Sequence, residues 1–260
     1  MTLLSRLAES LAGTRRKCLQ LRDRTYPAVE WPDIIHRQTL VHAGRSTSFL
    51  VEIGCGRNAS DLRALAPHYA LAVGIDYELA QQGGADDRWR VARADAHRLP
   101  FARHSIDVIA MADVVEHLEE PVEAFRECAR VLKPGGLLVV TTVNQWFPPI
   151  MLGRLITAPR VRQKLNFLLS GTPQEDTFPA FYRANSTRRL ARAAHASGFD
   201  VVRLSHLSHH PRYLMFSFVA YRIGVVLEQF ARRNEALRGV RQFLHGVFRL
   251  RASHEAAEGT

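Results

Sequence analysis

The chain has 260 residues, and its apolar fraction of 47% and charged fraction of 23% are ordinary for a folded globular protein. Its 35 Lys and Arg exceed its 25 Asp and Glu, so the net charge of +10 admits anionic partners such as nucleic acid, a lipid surface or a phosphorylated compound. The 3 cysteines form no Cys-x-x-Cys pair, which argues against a disulfide scaffold or a zinc cluster and favours a reducing compartment.

The first 47 residues form a basic, amphipathic lead that is interrupted at Trp31-Pro32. From residue 49 onward, short apolar runs alternate with amphipathic ones, which is typical of a parallel sheet covered by helices. The predicted strands are Phe49–Ile53, Ala70–Ile75, Arg90–Ala94, Ile106–Met111, Leu137–Val143, Phe199–Leu204 and Gln242–Leu250. The predicted helices run from an Asn58 cap to Ala66, from Pro121 to the Pro134-Gly-Gly136 stop, and from a Ser186 cap to Gly198.

This order of elements predicts an α/β protein with a doubly wound, mostly parallel, seven-stranded, Rossmann-like sheet. A helical cap is expected from N-terminal and C-terminal insertions. We expect four parts: an N-terminal helical lead (1–47), an α/β core (48–206) with a cap excursion at 144–185, a helical insertion (207–240), and a last strand with a tail (241–260).

The late apolar segment 213–230 has two open interpretations. Its apolar side chains either pack into the cap or, together with the neighbouring arginines, dock on a membrane surface. No run approaches the roughly 20 apolar residues that a spanning helix needs, and the N-terminal residues do not form a secretory signal. We therefore expect a cytoplasmic protein, with peripheral membrane contact through 213–230 as the alternative.

An acid and a glycine turn lie together at the end of the first predicted strand. Glu52 is inside this strand, Gly54-Cys-Gly56 follows it, and Asp76 ends the second strand. Glycines let the backbone come close to a ligand, and an acid at the next strand tip can accept both hydroxyls of a ribose. This pairing predicts a nucleoside-binding site.

The glycine turn by itself also fits a dinucleotide site, because Gly54-Cys-Gly56-Arg-Asn-Ala59 satisfies the G-x-G-x-x-G/A pattern. Glu52 argues against that interpretation, since a carboxylate repels a pyrophosphate and attracts a ligand that carries an ammonium or a sulfonium. Asp95, after the third strand, is placed to meet an adenine amino group. An NAD-type oxidoreductase is thus a disfavoured alternative.

Six short blocks occur in a fixed order between about residues 48 and 143. They are Val51-Glu-Ile-Gly-Cys-Gly56, Gly74-Ile-Asp76, Asp95-Ala96 with Leu99-Pro-Phe101, Ser105-Ile-Asp-Val-Ile109, Val114-Val-Glu-His-Leu118, and Leu132-Lys-Pro-Gly-Gly136. In these blocks the chain resembles the class I S-adenosylmethionine-dependent methyltransferases, in particular their small-molecule branch. The third glycine that this family often has in the first loop is Asn58 here.

The resemblance implies S-adenosylmethionine as the cofactor and methyl transfer, by in-line displacement, to a small-molecule, lipid-linked or glycan-linked acceptor. It implies that Glu52 faces the amino group of the cofactor, Asp76 its ribose hydroxyls and Asp95 its adenine. The cofactor-binding residues implied are Glu52, Gly54, Cys55, Gly56, Asp76, Tyr77, Asp95, Ala96, Met111 and Asp113.

His117 is the candidate catalytic residue, because it follows the fourth strand near the expected position of the methyl group. A structural role at the start of the Pro121 helix is the alternative, and His209 and His210 are further candidate bases. A base is needed only if the acceptor has to lose a proton. Cys55 is expected to be a small residue in a crowded turn rather than a nucleophile, and no metal is expected.

Two other functions stay open. The net charge motivates an RNA or other nucleic-acid methyltransferase, although the segment after strand four reads Met-Ala-Asp-Val-Val rather than the Asn-Pro-Pro-aromatic clamp of amino-methylating nucleic-acid enzymes. A non-catalytic S-adenosylmethionine-binding protein is the second. The acceptor, its reacting atom and the oligomeric state are left open.

Overall fold

The computed structural model describes residues 3–26, 32–45, 47–78, 83–86, 88–155 and 179–252. The chain divides into a sheet unit (residues 35–143, 180–205 and 244–260) and a helical unit (residues 1–34, 144–179 and 206–243). Trp31 of the predicted break, residues 156–178 of the predicted cap excursion and the last eight residues of the predicted tail lie outside the described residues. The four-part organisation expected from the sequence stays a prediction.

The sheet has eight strands in the order β3-β4-β2-β1-β5-β6-β8-β7. The strands are β1 (Phe49–Ile53), β2 (Leu71–Asp76), β3 (Gly83–Asp86), β4 (Trp89–Arg93), β5 (Ile106–Ala112), β6 (Leu132–Val143), β7 (Phe199–Leu207) and β8 (Phe243–Leu250). Pairs β1–β2, β1–β5, β2–β4 and β5–β6 are parallel, whereas β3 is antiparallel to β4. The predicted Rossmann-like α/β fold is confirmed, and β3 is an edge strand added to the seven that the sequence predicts.

The central strands are buried on both faces of the sheet. In β1 and β5 alternate residues enter two different cores, so that Val51 and Ile109 belong to one and Leu50 and Val108 to the other. This burial explains why these strands read as continuous apolar runs instead of alternating ones. Helices cover both faces, which is the doubly wound arrangement.

The helices of the sheet unit begin and end close to where the sequence predicts. They are α3 (Ser60–Leu65), α4 (Pro121–Val131) and α6 (Thr187–Ala196). Most of α2 (Pro32–Ala43), for which the sequence predicted no bounds, also belongs to this unit. The Ser186 hydroxyl accepts a hydrogen bond from the Arg189 backbone N–H and caps α6 as predicted. The Asn58 cap was wrong: α3 begins at Ser60, and its cap residue is Ala59 in a left-handed conformation with φ 44°.

The helical unit contains α1 (Leu3–Thr25), α5 (Pro148–Leu155) and α7 (Phe218–Arg233). Its small core is formed by Cys18, Tyr26, Met215, Tyr221 and Val225, which join α1 to one face of α7. The other face of α7 carries five apolar side chains that are between 57% and 68% exposed: Val219, Ile223, Val226, Leu227 and Phe230. Within the described residues, packing therefore covers only one face of α7. Among the described residues no helix combines the length and apolarity required to cross a bilayer.

Candidate functional site

The order of strands predicts a ligand-binding crevice between the ends of β1 and β5. From β1 the chain proceeds to β2 and β4 on one side of the sheet, and then to β5 and β6 on the other. In open α/β sheets, ligands bind outside the carboxyl ends of the strands at such a reversal of direction. The predicted residues Glu52 to Gly56, Asp76, Tyr77, Asp95, Ala96, Met111 and Asp113 all lie in or just after the carboxyl ends of β1, β2, β4 and β5.

The two glycines of the first loop serve different purposes. Both have positive φ angles, 77° at Gly54 and 65° at Gly56, which L side chains rarely adopt. A Cβ on Gly54 would lie 2.3 Å from Cγ2 of Val114 in the loop after β5, so a side chain there is excluded. A Cβ on Gly56 would meet no atom of the described residues within 4 Å. Gly56 thus presents bare backbone to open space, where a ligand can approach it.

Asp76 is held beside this bare backbone. Its Oδ2 accepts a hydrogen bond from the Gly56 backbone N–H at 2.9 Å, and its Oδ1 accepts one from the Glu78 N–H at 3.0 Å. The adjacent Tyr77 is 63% exposed, and the Arg93 guanidinium lies 5.7 Å from the centre of its ring. A carboxylate and an exposed aromatic ring therefore stand together at the end of β2.

Glu52 is a buried carboxyl near the carboxyl end of β1, paired in register with Gly74 of β2. It is only 5% exposed, and its Oε2 has no hydrogen-bond partner in the described chain. Burial, aided by the negative charge of Asp61, raises the pKa of Glu52 to about 8. A nearby cation or N–H donor would favour the ionised form of this carboxyl.

Cys55 fills the space that Gly74 leaves. A Cβ at Gly74 would come within 2.8 Å of the Cys55 Sγ, so the glycine in β2 is required for the thiol to pack. Burial raises the pKa of Cys55 to about 12, which keeps the thiol protonated. The contact agrees with a packing role for this side chain, while its backbone remains part of the glycine turn.

Asp95 and Ala96 follow β4, next to the end of β2, because the Ala94 backbone N–H donates to the Asp76 carbonyl at 3.2 Å. The Asp95 Oδ1 accepts a hydrogen bond from the His97 N–H at 2.9 Å and contacts the His97 ring at 2.8 Å. Partial burial alone would raise the pKa of Asp95, but these His97 interactions outweigh it and lower the pKa. Asp95 is thus an ionised acceptor at the strand end, and Ala96 packs partly against the core.

The remaining predicted cofactor residues belong to β5 and the turn that follows. Met111 is fully buried in the core. Asp113 is exposed, adopts a positive φ of 55°, and its N–H donates to the Thr141 carbonyl of β6 at 2.9 Å. The turn at Asp113 therefore leads the chain away from the sheet at the crevice.

Sequence reasoning missed Glu116, which lies next to the candidate base His117. Glu116 is buried, its Oε2 accepts a hydrogen bond from the Thr142 hydroxyl at 2.6 Å, and Thr142 in turn accepts one from Asn185 at 2.7 Å. Burial, together with the charge of Asp113, raises the pKa of Glu116. The sequence did contain a signal for Glu116, because this ionisable side chain directly follows Val114-Val115 in an apolar stretch.

The three candidate histidines have different surroundings. His117 is half-buried in the short 3-10 turn Val115–His117, near the end of β5. His209 and His210 belong to the helical unit, where the His210 ring contacts Tyr26 and Tyr221. Burial, with the adjacent His209, lowers the pKa of His210 to about 3, so His210 is a poor proton acceptor at neutral pH.

The region that contains these strand ends is similar in sequence to known proteins. Residues 51–140 match a family model described as a methyltransferase domain. A probable S-adenosylmethionine-dependent methyltransferase of Mycobacterium tuberculosis is 37% identical over 98 residues, which are 37% of this chain and 36% of the relative. The chain therefore matches little more than a third of the length of this relative.

Two further similarities extend over more of the chain. A ubiquinone biosynthesis O-methyltransferase of Nitrosospira multiformis is 28% identical over 179 residues, covering 65% of this chain and 70% of that protein. The crystal structure of an S-adenosylmethionine-dependent methyltransferase from Mesorhizobium loti has a TM-score of 0.55 at 17% identity, covering 84% of this chain and 98% of that one. The sequence match to the family lies in the sheet unit, whereas the likeness of fold reaches over most of the chain.

Proposed function

We propose that the chain is a class I S-adenosylmethionine-dependent methyltransferase that transfers a methyl group to a small-molecule acceptor. The observation that carries the proposal is the cluster at the sheet crevice, where Asp76 is hydrogen-bonded to the bare backbone of Gly56 and Glu52 keeps a buried, unpartnered oxygen. When bound, S-adenosylmethionine supplies an activated methyl group, which an acceptor lone pair takes as the carbon–sulfur bond breaks.

Each residue of the cluster has a proposed role. Asp76 accepts hydrogen bonds from the ribose hydroxyls, Glu52 stabilises the ammonium, and Asp95 beside Ala96 accepts from the adenine amino group. The backbone of Gly54, Cys55 and Gly56 approaches the methionine portion, and Tyr77, Met111 and Asp113 complete the binding residues. His117 is the proposed general base for an acceptor that has to lose a proton.

We propose that the acceptor is lipid-linked rather than glycan-linked. The Nitrosospira relative is named for ubiquinone biosynthesis, which supports a small acceptor molecule. The helical unit contains 16 Arg and Lys and 8 Asp and Glu by sequence, and it also carries the exposed apolar face of α7. Positive charge beside an apolar helix face is typical of proteins that lie on anionic lipid surfaces. This combination also supports a lipid partner over nucleic acid as the reason for the net charge.

We further propose that the protein works in the cytoplasm, in peripheral contact with an anionic membrane through segment 213–230. Cys18, Cys55 and Cys128 are free and buried, which agrees with a reducing compartment. The five exposed side chains of α7 would enter the interfacial region of the bilayer, and the arginines of the helical unit would meet the lipid headgroups.

The test is transfer of labelled methyl groups into a cell extract, followed by separation into lipid, RNA, protein and water-soluble small-molecule fractions. We expect label in the lipid fraction with the unchanged protein and no label with Asp76→Asn. Glu123→Gln, which alters an exposed ion pair on α4 away from the site, is the matched control and should behave as the unchanged protein. Label confined to RNA or protein would overturn the acceptor class, and absence of label in every fraction would contradict methyl transfer.

A further inference from the structure

The helical unit contains a cavity of about 580 Å³, which lies within the ~300–1,000 Å³ typical of small-molecule sites. Most of its described lining is apolar or aromatic, and includes Phe147, Leu152, Tyr213, Leu214, Ile223 and Leu227. The rings of Phe147 and Tyr213 meet edge to face with their centres 5.8 Å apart. A lining of this kind stabilises an apolar ligand, because binding removes apolar surface of both partners from water.

Two glycines in the lining shape this cavity. A Cβ on Gly224 of α7 would lie 2.5 Å from Leu214 Cδ1 and 3.0 Å from Pro211 Cγ, so this glycine lets the turn before α7 pack closely against the helix. A Cβ on Gly153 of α5 would meet no described atom within 4 Å. One wall is therefore held by close packing, whereas the side next to Gly153 offers open space to a ligand.

The two charged residues of the described lining, Glu228 and Arg241, are engaged with other side chains. The Arg241 Nη2 donates to Glu235 Oε1 at 2.6 Å, and the Glu228 carboxyl interacts with Tyr26 and Ser208. Arg241 Nε and Glu228 Oε1 also have almost no accessible surface. A charged ligand group inside the cavity would therefore lose its hydration without gaining an ion pair from these atoms, which is costly.

The cavity opens beside the exposed face of α7. Ile223 and Leu227 line it, and they are 57% and 63% exposed. The same two residues line a shallow groove on α7 together with Phe218, Val219, Arg222 and Val226. Leu152 of α5, which also lines the cavity, is exposed as well. An apolar chain can thus enter past these side chains while the group at its other end stays in water.

We infer that this cavity binds the apolar tail of an amphiphile with one hydrocarbon chain, with the end of the tail inside and the polar head in solvent. The apolar lining favours the tail, and the engaged charges of Glu228 and Arg241 disfavour a charged group inside. Binding of this tail requires neither the methyl donor nor the sheet crevice, so it goes beyond the proposed function.

Isothermal titration calorimetry of the full chain, without S-adenosylmethionine, tests this binding with two ligands below their micelle concentrations. Dodecanoate and dodecanedioate have the same number of carbons and the same carboxylate head, but dodecanedioate carries a second carboxylate at the end that would enter the cavity. We expect one dodecanoate to bind to each protein molecule, and dodecanedioate to bind at least about tenfold more weakly because its second charge loses its water. Equal affinities, no binding of dodecanoate, or many equivalents bound to each protein molecule would overturn the inference.

A matched pair of glycine variants locates the site. Gly153→Phe places a ring in the open space beside α5 and should abolish dodecanoate binding. Gly13→Phe adds the same ring to α1, outside the described lining, where a Cβ also meets no described atom within 4 Å, and should leave binding unchanged.

If circular dichroism shows that Gly153→Phe does not fold, a second pair on α7 makes the same comparison. Ile223→Asp puts a charge at an exposed position of the lining and should weaken dodecanoate binding, whereas Val219→Asp changes an exposed residue outside the lining and should not. Equal binding by both members of a folded pair would place dodecanoate elsewhere and contradict the proposal.

Discussion

The sheet unit and the helical unit distribute apolar and charged residues in opposite ways. The sheet unit buries its apolar side chains in two cores and, by sequence, has nearly balanced charge, with 19 Arg and Lys against 17 Asp and Glu. The helical unit has twice as many basic as acidic residues and exposes the apolar face of α7. The sheet unit thus keeps its apolar side chains inside two cores, whereas the surface of the helical unit suits the apolar, anionic partner proposed above.

The largest expected effect contrasts two phenylalanines. Phe125 is fully buried in the sheet core, and Phe230 is 61% exposed on α7. Phe125→Ala should lower the free energy of unfolding by about 3–5 kcal/mol, since it leaves a cavity in a packed core. Phe230→Ala should change it by less than about 0.5 kcal/mol. Urea denaturation measures both values, and equal losses would show that the exposed face is covered within the protein.

The second prediction concerns the carboxyl of Glu52, whose pKa in the folded protein is about 8 against an ordinary value of 4.5. The stability that protonated Glu52 contributes is fully present below pH 4.5 and is lost as the pH rises through about 8. Between these two values Glu52 ionises in the unfolded protein but stays protonated in the folded protein. At pH 7, Glu52→Gln should therefore raise the free energy of unfolding by up to about 3 kcal/mol.

The same substitution should weaken S-adenosylmethionine binding by about 1–3 kcal/mol in titration calorimetry, since it removes a charged hydrogen bond. Glu123→Gln serves as the control for both measurements. A Glu52→Gln variant that gains stability without losing affinity would remove this carboxylate from the binding site.

The third prediction uses the buried histidines of the sheet unit. The Thr141 hydroxyl lies 2.8 Å from His36 Nδ1 and 2.9 Å from His245 Nδ1. Burial, with His245 nearby, lowers the pKa of His36 from 6.5 to about 3, so the stability it contributes is present above pH 6.5 and is lost as the pH falls. Between pH 6.5 and 5 this loss amounts to about 2 kcal/mol.

His36→Gln should therefore make the free energy of unfolding less sensitive to acid over this range. Over part of this pH range, protonation of Glu52 changes the free energy of unfolding in the opposite direction. This contribution is the same in the variant and in the unchanged protein, so it cancels in their comparison. Identical pH slopes in urea denaturation for the two proteins would mean that His36 is not buried in its neutral form.

The smallest expected effect tests the lipid partner of the helical unit. The triple variant Val219→Ser, Val226→Ser and Phe230→Ser should reduce co-sedimentation with phosphatidylglycerol vesicles by about tenfold. The control is Val201→Ser with Val202→Ser, which changes two exposed apolar residues of β7 in the sheet unit. Binding should fall at higher salt and be weaker to phosphatidylcholine. Equal vesicle binding by the two variants would contradict a role for the α7 face.

The sequence alone predicted those parts of the molecule that depend on local patterns of residues. Buried strands are continuous apolar runs, and the carboxyl ends of parallel strands share one edge of a sheet, so Glu52, Gly56 and Asp76 could be placed together from spacing alone. Strand β3 was missed because Gly83-Gly-Ala-Asp86 contains no residue with a preference for strands.

Features that depend on distant contacts could not be predicted in the same way. The Glu116 network needs Thr142 and Asn185, which are 26 and 69 positions further along the chain. The sequence predicted that 213–230 is apolar, but not which of its side chains are covered. A cavity in the helical unit is likewise lined by residues of α5, α7 and the segments before and after α7, so no local sequence pattern predicts it.

The proposed binding site is tested most directly by a crystal soaked with S-adenosylhomocysteine, the demethylated form of the cofactor. We expect ribose hydroxyls within hydrogen-bond distance of Asp76, the amino group next to Glu52, and the methionine portion along the backbone of Gly54 to Gly56. Density for the ligand away from these strand ends, or none at a saturating concentration, would contradict it.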